Sequence, residues 1–204
     1  MMKSKFKPGD ALLIVDPQND FMPNGALAVP EGDRILPIVN QWIAAAVTEN
    51  IPVIISRDWH PQDHISFQSR GGRWPTHCVR NTHGAAFHTN LHVPTNAIIV
   101  NKAIDANHEA YSALQGVTDS DGLTLPEKLQ QLAIQRLWVA GLALDYCVHF
   151  SALDAKKLGL EVHVILPACR AIAQDSEQQA FKDMVAVDII IENEEDPYLN
   201  TQNK

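Results

Sequence analysis

The sequence has few cysteines, few basic residues and no long hydrophobic run, and each shortage argues against a class of protein. Only 3 of its 204 residues are cysteines. This odd number argues against a disulfide scaffold and favours a reducing, cytoplasmic setting. With 16 Lys and Arg against 24 Asp and Glu, the formal net charge is -8, so the positive surface that nucleic-acid binding needs is missing. No run approaches about 18 consecutive apolar residues, so we expect no membrane-spanning helix.

The composition that remains is typical of a folded protein. The chain is 46% hydrophobic and 20% charged, which is enough apolar material for a sizeable core and too much for a disordered chain. We therefore predict one domain over residues 1–204 and a small-molecule partner.

Short apolar runs rich in β-branched residues alternate with segments of helical periodicity. The runs lie at residues 11–15, 53–56, 97–100, 137–140, 162–166 and 187–191, and the helical segments at 35–49, 125–132, 148–158 and 176–184. This alternation predicts an α/β fold with a single doubly wound open sheet, mainly parallel, of about six strands with helices on both faces. The aperiodic segment around residues 58–94 is longer than an ordinary connection, which indicates a functional loop.

Reactive side chains follow the predicted strands at the points where ligands bind in open α/β sheets. Asp16, Asp58 and Lys102 end the first three runs, and a loop after the fourth leads to Cys147. Cys147 opens a predicted helix, whose N-terminus would lower the pKa of a thiol, so it is the candidate nucleophile. Asp16 is the candidate base and Lys102 the balancing cation. His149 would point away from Cys147, since it lies only two residues further along the helix.

A second group of residues suits a metal. Asp58 and His60 form an Asp-x-His pair, and His77 follows 17 positions after His60. One carboxylate and two imidazoles suit Zn, Mn or Fe and leave coordination positions open. His64 is an additional candidate, either as a ligand or as a residue behind the ligands. On spacing alone, an Asp-x-His pair is more often structural than metal-binding.

Several motifs together resemble those of the nicotinamidases in the isochorismatase-like cysteine hydrolase family. They are residues 15–21 (VDPQNDF), 57–60 (RDWH), 74–78 (WPTHC), Lys102, 110–112 (AYS) and 141–148 (GLALDYCV). Asp16, Lys102 and Cys147 are shared by the whole family, whereas the Asp-x-His and Trp-Pro-x-His-Cys motifs are similar to the metal site of nicotinamidases.

The resemblance implies an activity and a set of site residues. The activity is hydrolysis of nicotinamide to nicotinate and ammonia through a thioester, a step of NAD salvage, with one divalent metal ion per chain, Zn before Fe or Mn. The implied catalytic residues are Asp16, Lys102 and Cys147, the metal ligands are Asp58, His60 and His77, and the aromatic residues lining a pyridine pocket are Phe21, Trp74 and Tyr111. The backbone N–H groups of Ala143 and Cys147 would form the oxyanion hole, in a turn that usually contains a cis peptide.

Some positions depart from the family pattern, and other interpretations stay open. Leu144 replaces a frequent Thr and Leu114 a frequent aromatic residue, which puts details of the pocket in doubt. The alternatives are a metal-independent isochorismatase or ureido-type amidohydrolase, which would lack the metal set, and a catalytically silent binding protein, which would lack the nucleophile. Family members differ in oligomeric state, and a homodimer is one expectation.

Overall fold

The computed structural model describes residues 4–198 and contains one seven-stranded sheet. Its strands are β1 (Asp10–Val15), β2 (Val53–Asp58), β3 (Ile98–Lys102), β4 (Val117–Thr118), β5 (Arg136–Leu142), β6 (Glu161–Arg170) and β7 (Ile190–Glu192). Its α-helices are α1 (Leu36–Thr48), α2 (Leu125–Gln131), α3 (His149–Lys157) and α4 (Gln174–Ala186), and a π-helical turn spans Leu144–Val148. The predicted α/β class is confirmed.

The strand order across the sheet is β4-β3-β2-β1-β5-β6-β7. All neighbouring strands are parallel except β3 and β4, which pair antiparallel. The predicted count of about six strands omits β4, because a two-residue strand at a sheet edge has no periodicity to detect. The last predicted strand also begins later than expected, since Asp188 lies in the left-handed region with a φ of 56°.

Helices cover both faces of the sheet, and this explains the apolar strands. Every residue of β1 is buried, as expected for a central strand with both faces covered. The chain moves away from β1 in one direction through α1 and in the other through α3 and α4, so right-handed crossovers place these helices on opposite faces.

The direction of winding reverses between β1 and β5, which opens a crevice at the carboxyl ends of these strands. The predicted long loop connects β2 to β3, and its one regular element is a 3-10 turn at Gln68–Arg70. None of the described helices is both long and apolar enough to cross a membrane. Residues 1–3 and 199–204 of the predicted single domain lie outside the described residues.

Candidate active site

A buried ionic cluster lies at the carboxyl ends of β1, β2 and β3. Asp16 follows β1 with a φ of 49°, and its Oδ1 accepts a hydrogen bond of 2.7 Å from the Ser56 hydroxyl. Its Oδ2 lies 3.0 Å from Lys102 Nζ. The ammonium of Lys102 also donates to a carboxylate oxygen of Asp58 and lies 3.5 Å from Cys147 Sγ. The Lys102 ammonium therefore contacts the carboxylates of Asp16 and Asp58 and the candidate nucleophile Cys147.

Burial and mutual charge set the protonation states in this cluster. Burial raises the pKa of Asp16 to about 6, although the charge of Lys102 partly opposes the rise. Burial alone would lower the pKa of Lys102, but Asp16 and Asp58 hold it well above its ordinary value. Burial likewise acts to raise the pKa of Asp58, but Lys102 and the neighbouring imidazoles bring it below its usual range. Lys102 is therefore charged, and Asp16 titrates close to neutral pH.

Cys147 lies within the π-helical turn before α3. The expected lowering of its thiol pKa is not found. Burial raises the pKa of the thiol well above its ordinary value, and the charge of Lys102 lowers it only in part. The sequence predicts a lowered pKa at a helix N-terminus, but the loss of hydration outweighs that effect here. The resting group is a thiol, so a base is needed, and Asp16 lies within reach, with a carboxylate oxygen at most 4.8 Å from the sulfur.

Asp58, His60 and His77 place their ligand atoms within 4.8 Å of one another. His60 Nδ1 lies 3.0 Å from the carbonyl oxygen of His77, and His77 Nδ1 lies 2.8 Å from that of Pro75. Since a carbonyl only accepts, each Nδ1 bears the hydrogen and each Nε2 keeps its lone pair. Burial also lowers the pKa of His60 to about 4, which keeps its ring neutral. A buried carboxylate with two imidazole donors fits a divalent metal ion.

The ring nitrogens of His64 both contact neighbouring groups, and His64, His60 and Glu109 also place ligand atoms within 4.8 Å of one another. His64 Nε2 lies 3.0 Å from the carbonyl oxygen of His108 and so donates to it. Its Nδ1 faces the Ser66 hydroxyl at 2.7 Å and accepts the Ser66 backbone N–H at 3.2 Å. Both nitrogens are engaged, while the ring packs 4.3 Å from that of His60. His64 therefore packs against His60, and its role as a ligand or as a residue behind the ligands stays a prediction.

Gln18 fixes the backbone of Asp58 and was not identified from the sequence. Its side-chain oxygen accepts the Asp58 backbone N–H at 2.8 Å, and its amide donates to the Asp58 carbonyl at 2.8 Å and to that of Ala85 at 2.9 Å. A fully buried amide with these bonds joins the end of β1 to that of β2. The VDPQNDF motif contained Gln18, but only the fold shows its partners.

A pocket with an empty volume of about 380 Å³ opens above the ionic cluster. Eight of the ten residues implied by the resemblance line it, while Asp16 and Lys102 lie buried beneath it. The sequence missed four of the lining residues. Phe21, Asp58, His60, Trp74, His77, Tyr111, Ala143 and Cys147 were expected, and Leu27, Glu109, Tyr146 and Ile172 were not.

Aromatic side chains form one wall of this pocket. The indole N–H of Trp74 donates to the Tyr111 hydroxyl at 3.0 Å. Tyr146 packs edge-on against Trp74, with ring centroids 5.0 Å apart. Phe150 of α3 stacks on Tyr111 at 5.3 Å. Trp74 and Tyr146 are thus nearly perpendicular, and Tyr111 and Phe150 are nearly parallel. Such a wall of fixed aromatic faces is suited to binding a ligand with an aromatic ring.

The turn before Cys147 has the features that the resemblance implies. Ala143 lines the pocket, and its peptide bond with Leu142 is cis. Backbone N–H groups in the first turn of a helix lack intrahelical partners and are available to an anion. His149 lies outside the pocket, with its Nε2 3.4 Å from an Asp183 carboxylate oxygen, which agrees with its predicted orientation.

The two departures from the family pattern do not reach the pocket. Leu114 and Leu144 are buried in the hydrophobic core, and neither is a lining residue. The sequence left details of the pocket in doubt at these two positions, and neither side chain forms part of its lining.

This chain is similar to several known proteins, among them nicotinamidases. The isochorismatase domain family matches residues 10–195. The nicotinamidase of Escherichia coli is 40% identical over 197 residues, covering 88% of this chain and 92% of the relative. The structure of Pyrococcus horikoshii pyrazinamidase in complex with zinc has a TM-score of 0.84 at 43% identity, covering 90% of this chain and 98% of that one. A protein of L. infantum, solved in complex with nicotinate, has a TM-score of 0.82 at 30% identity, covering 94% and 96%. The chain therefore belongs to the isochorismatase family, among its nicotinamidase-like amidohydrolases.

Proposed function

We propose that this protein hydrolyses nicotinamide to nicotinate and ammonia, with Cys147 as nucleophile. The principal observation is a pocket that contains the Cys147 thiol and a metal donor set, with the Lys102 ammonium and the Asp16 carboxylate buried beneath it. Nicotinamidases are among the relatives of this chain, with 37% and 40% identity over the aligned residues.

The first step forms the carbon–sulfur bond. Asp16 accepts the proton of the Cys147 thiol while the sulfur attacks the carboxamide carbon, and the carbonyl electron pair moves to oxygen. A base that titrates near pH 6 is mostly ionised at neutral pH and can still return its proton later. Lys102 remains charged and stabilises the developing thiolate 3.5 Å away.

The oxyanion that forms needs donors fixed in place. The backbone N–H groups of Ala143 and Cys147 are assigned to this role, since both residues line the pocket at the start of the helical turn. Each aligned donor lowers the barrier by about 3 kcal/mol in a site without water.

The second half of the reaction releases both products. Asp16 gives its proton to the amide nitrogen, the carbon–nitrogen bond breaks, and ammonia leaves a thioester on Cys147. Asp16 then takes a proton from water as the oxygen attacks the thioester carbon. The carbon–sulfur bond breaks, and the sulfur recovers its proton from Asp16 as nicotinate leaves.

Asp58, His60 and His77 are assigned to hold the metal ion. When bound, a divalent ion supplies a Lewis acid that holds the pyridine nitrogen and orients the ring. Zinc is proposed first, because the donor set suits it and the P. horikoshii relative was solved with zinc. Iron and manganese suit the same donors.

Phe21, Trp74 and Tyr111 are assigned to bind the ring. Their side chains line the pocket between the metal donors and Cys147. The nicotinate complex of the L. infantum relative supports a pyridine carboxylate as the product. The same pocket is expected to accept the close analogue pyrazinamide.

Two features bear on the alternatives and the setting. A metal-independent amidohydrolase would not need the clustered donor set, and a silent binding protein would not need the buried ionic cluster around Cys147. We also propose a cytoplasmic setting, because Cys78, Cys147 and Cys169 are all unpaired and buried. A homodimer stays a prediction.

The test is ammonia release from nicotinamide. We expect release by the metal-loaded protein, a loss of at least about 10⁴-fold in the Cys147→Ala variant, and a strong loss after chelation that zinc restores. Cys169→Ala serves as the control, since Cys169 is a buried thiol of β6 outside the pocket. Near-normal release by Cys147→Ala would overturn the assignment of the nucleophile.

A further inference from the structure

Arg73 lies at the pocket wall, although it is not one of the lining residues. Its guanidinium carbon is 5.0 Å from the centroid of the Trp74 ring and 5.4 Å from that of Tyr146. The two ring centroids are themselves 5.0 Å apart, with an angle of 84° between the ring planes. The cation therefore occupies the corner between two nearly perpendicular rings, at distances typical of cation–π contacts.

These two rings belong to different parts of the chain. Trp74 lies on the long loop between β2 and β3, which also contains His60 and His77. Tyr146 lies in the π-helical turn and precedes Cys147. Through the two rings, Arg73 connects the loop of the metal ligands to the turn of the nucleophile.

Arg73 makes these contacts without a competing ion pair. Among residues 4–198, no carboxylate lies within 4.0 Å of its guanidinium, whereas Arg70, three residues earlier, lies 3.8 Å from Asp63. Arg73 is exposed, but the two rings that it contacts both line the pocket. A charge left unpaired by carboxylates is free to interact with the ring faces.

We infer that Arg73 is a positioning residue that holds Trp74 and Tyr146 together and so sets the width of the ring-binding wall. This inference rests on the proposed function and adds a determinant of substrate selection. Loosening the wall weakens the grip on the ring in both the ground state and the transition state, so the loss is expected in KM and little in kcat. A looser wall also discriminates less against bulkier rings.

The experiment compares Arg73→Gln with Arg73→Lys in steady-state hydrolysis of nicotinamide and a methyl-substituted nicotinamide. For Arg73→Gln we expect KM for nicotinamide to rise about fivefold, with kcat within about twofold of wild type. Its preference for nicotinamide over the methylated amide should fall. Arg73→Lys keeps the charge and should restore most of KM. Arg70→Gln is the matched control and should leave both constants unchanged.

Several results would overturn the proposed positioning role of Arg73. One is a KM for Arg73→Gln that equals wild type, and another is an equal rise in the Gln and Lys variants, which would make packing and not charge the cause. Unchanged KM with weaker inhibition by nicotinate would instead place Arg73 in contact with the product carboxylate. A wild-type protein that releases no ammonia would count against the proposed function. An active Arg73→Gln variant with normal KM would count against the positioning role of Arg73 alone.

Discussion

The two ends of β1 both bear a buried aspartate, but their surroundings differ. The carboxylate of Asp10, at the amino end, accepts hydrogen bonds from Nε and Nη2 of Arg136 at 2.8 and 2.6 Å. It also accepts one from the Trp138 indole N–H at 3.0 Å. Asp16, at the carboxyl end, accepts a hydrogen bond from one hydroxyl, and its Oδ2 lies 3.0 Å from Lys102 Nζ, a cation that also contacts Asp58 and Cys147.

The difference shows how one sheet separates stability from reactivity. A bidentate pair with further donors satisfies the hydrogen-bonding capacity of a buried carboxylate. A carboxylate that shares its cation with a second acid and has a raised pKa is costly to keep ionised, but it can accept a proton. The amino end of β1 therefore serves the fold, and the carboxyl end serves the chemistry.

Exchanging each aspartate for asparagine is the strongest way to break this contrast. Asp16→Asn removes the base, so kcat should fall about 10³-fold or more, while the free energy of unfolding at pH 8 stays at or above the wild-type value. Asp10→Asn should do the opposite, because it leaves Arg136 without its charge partner. The free energy of unfolding should fall by about 3 kcal/mol, with kcat nearly unchanged at a temperature where the variant is folded.

Ammonia release and urea unfolding of both variants measure the two effects. A kcat that falls equally in both variants would remove the separation between the two ends.

Two buried histidines, one with a nitrogen available to a metal and one without, provide a similar comparison for metal binding. His60 keeps Nε2 for a metal, whereas His163, near the amino end of β6, has both nitrogens 2.8 Å from carboxylate oxygens of Glu161 and Glu192. His60→Ala should weaken metal affinity by more than the roughly 10- to 100-fold that loss of a residue behind the ligands costs, and it should raise KM for nicotinamide. His163→Gln should lose stability and keep its metal.

Elemental analysis after dialysis against a weak chelator measures retained metal. Equal retention by wild type and His60→Ala would contradict the ligand assignment.

The pH profile is the mildest perturbation and tests the raised pKa of Asp16. Because burial moves this pKa from 3.8 to about 6, kcat/KM should fall about tenfold per pH unit below pH 6. Linkage gives the opposite sign for stability. The ionised carboxylate costs free energy in the folded state, so its contribution is favourable below about pH 4 and is lost as the pH rises through about 6.

Profiles of kcat/KM at saturating zinc, for wild type and Asp10→Asn, should share this limb. An acid limb centred near pH 4 would show that Asp16 has an ordinary pKa or is not the base.

The sequence predicted most of the sheet because its strands are buried on both faces. Such strands appear as uniform apolar runs, as at residues 11–15 and 137–140, and their polar ends marked Asp16, Asp58 and Lys102. It did not predict β4, which pairs with β3 over two residues, because so short a strand leaves no pattern.

The site was predicted residue by residue but not as a network. Spacing cannot show that Lys102 contacts Asp16, Asp58 and Cys147 together, because each contact joins different strands. Nor can it show that Asp145 accepts the backbone N–H groups of Ile172 and Ala173 and so fixes a pocket wall beside the start of α4.

By itself, the amino-acid sequence determined the α/β class, the residue types at the strand ends and the motifs of the family, since these depend on local order along the chain. Tertiary structure decided the protonation states and the shape of the pocket. The thiol of Cys147 is neutral and Asp16 is poised near pH 6 because burial and the charge of Lys102 act on them across the sheet. The wall of Trp74 and Tyr146 exists because the fold brings two distant segments together. Desolvation and long-range contact depend on three-dimensional placement, which residue order alone does not specify.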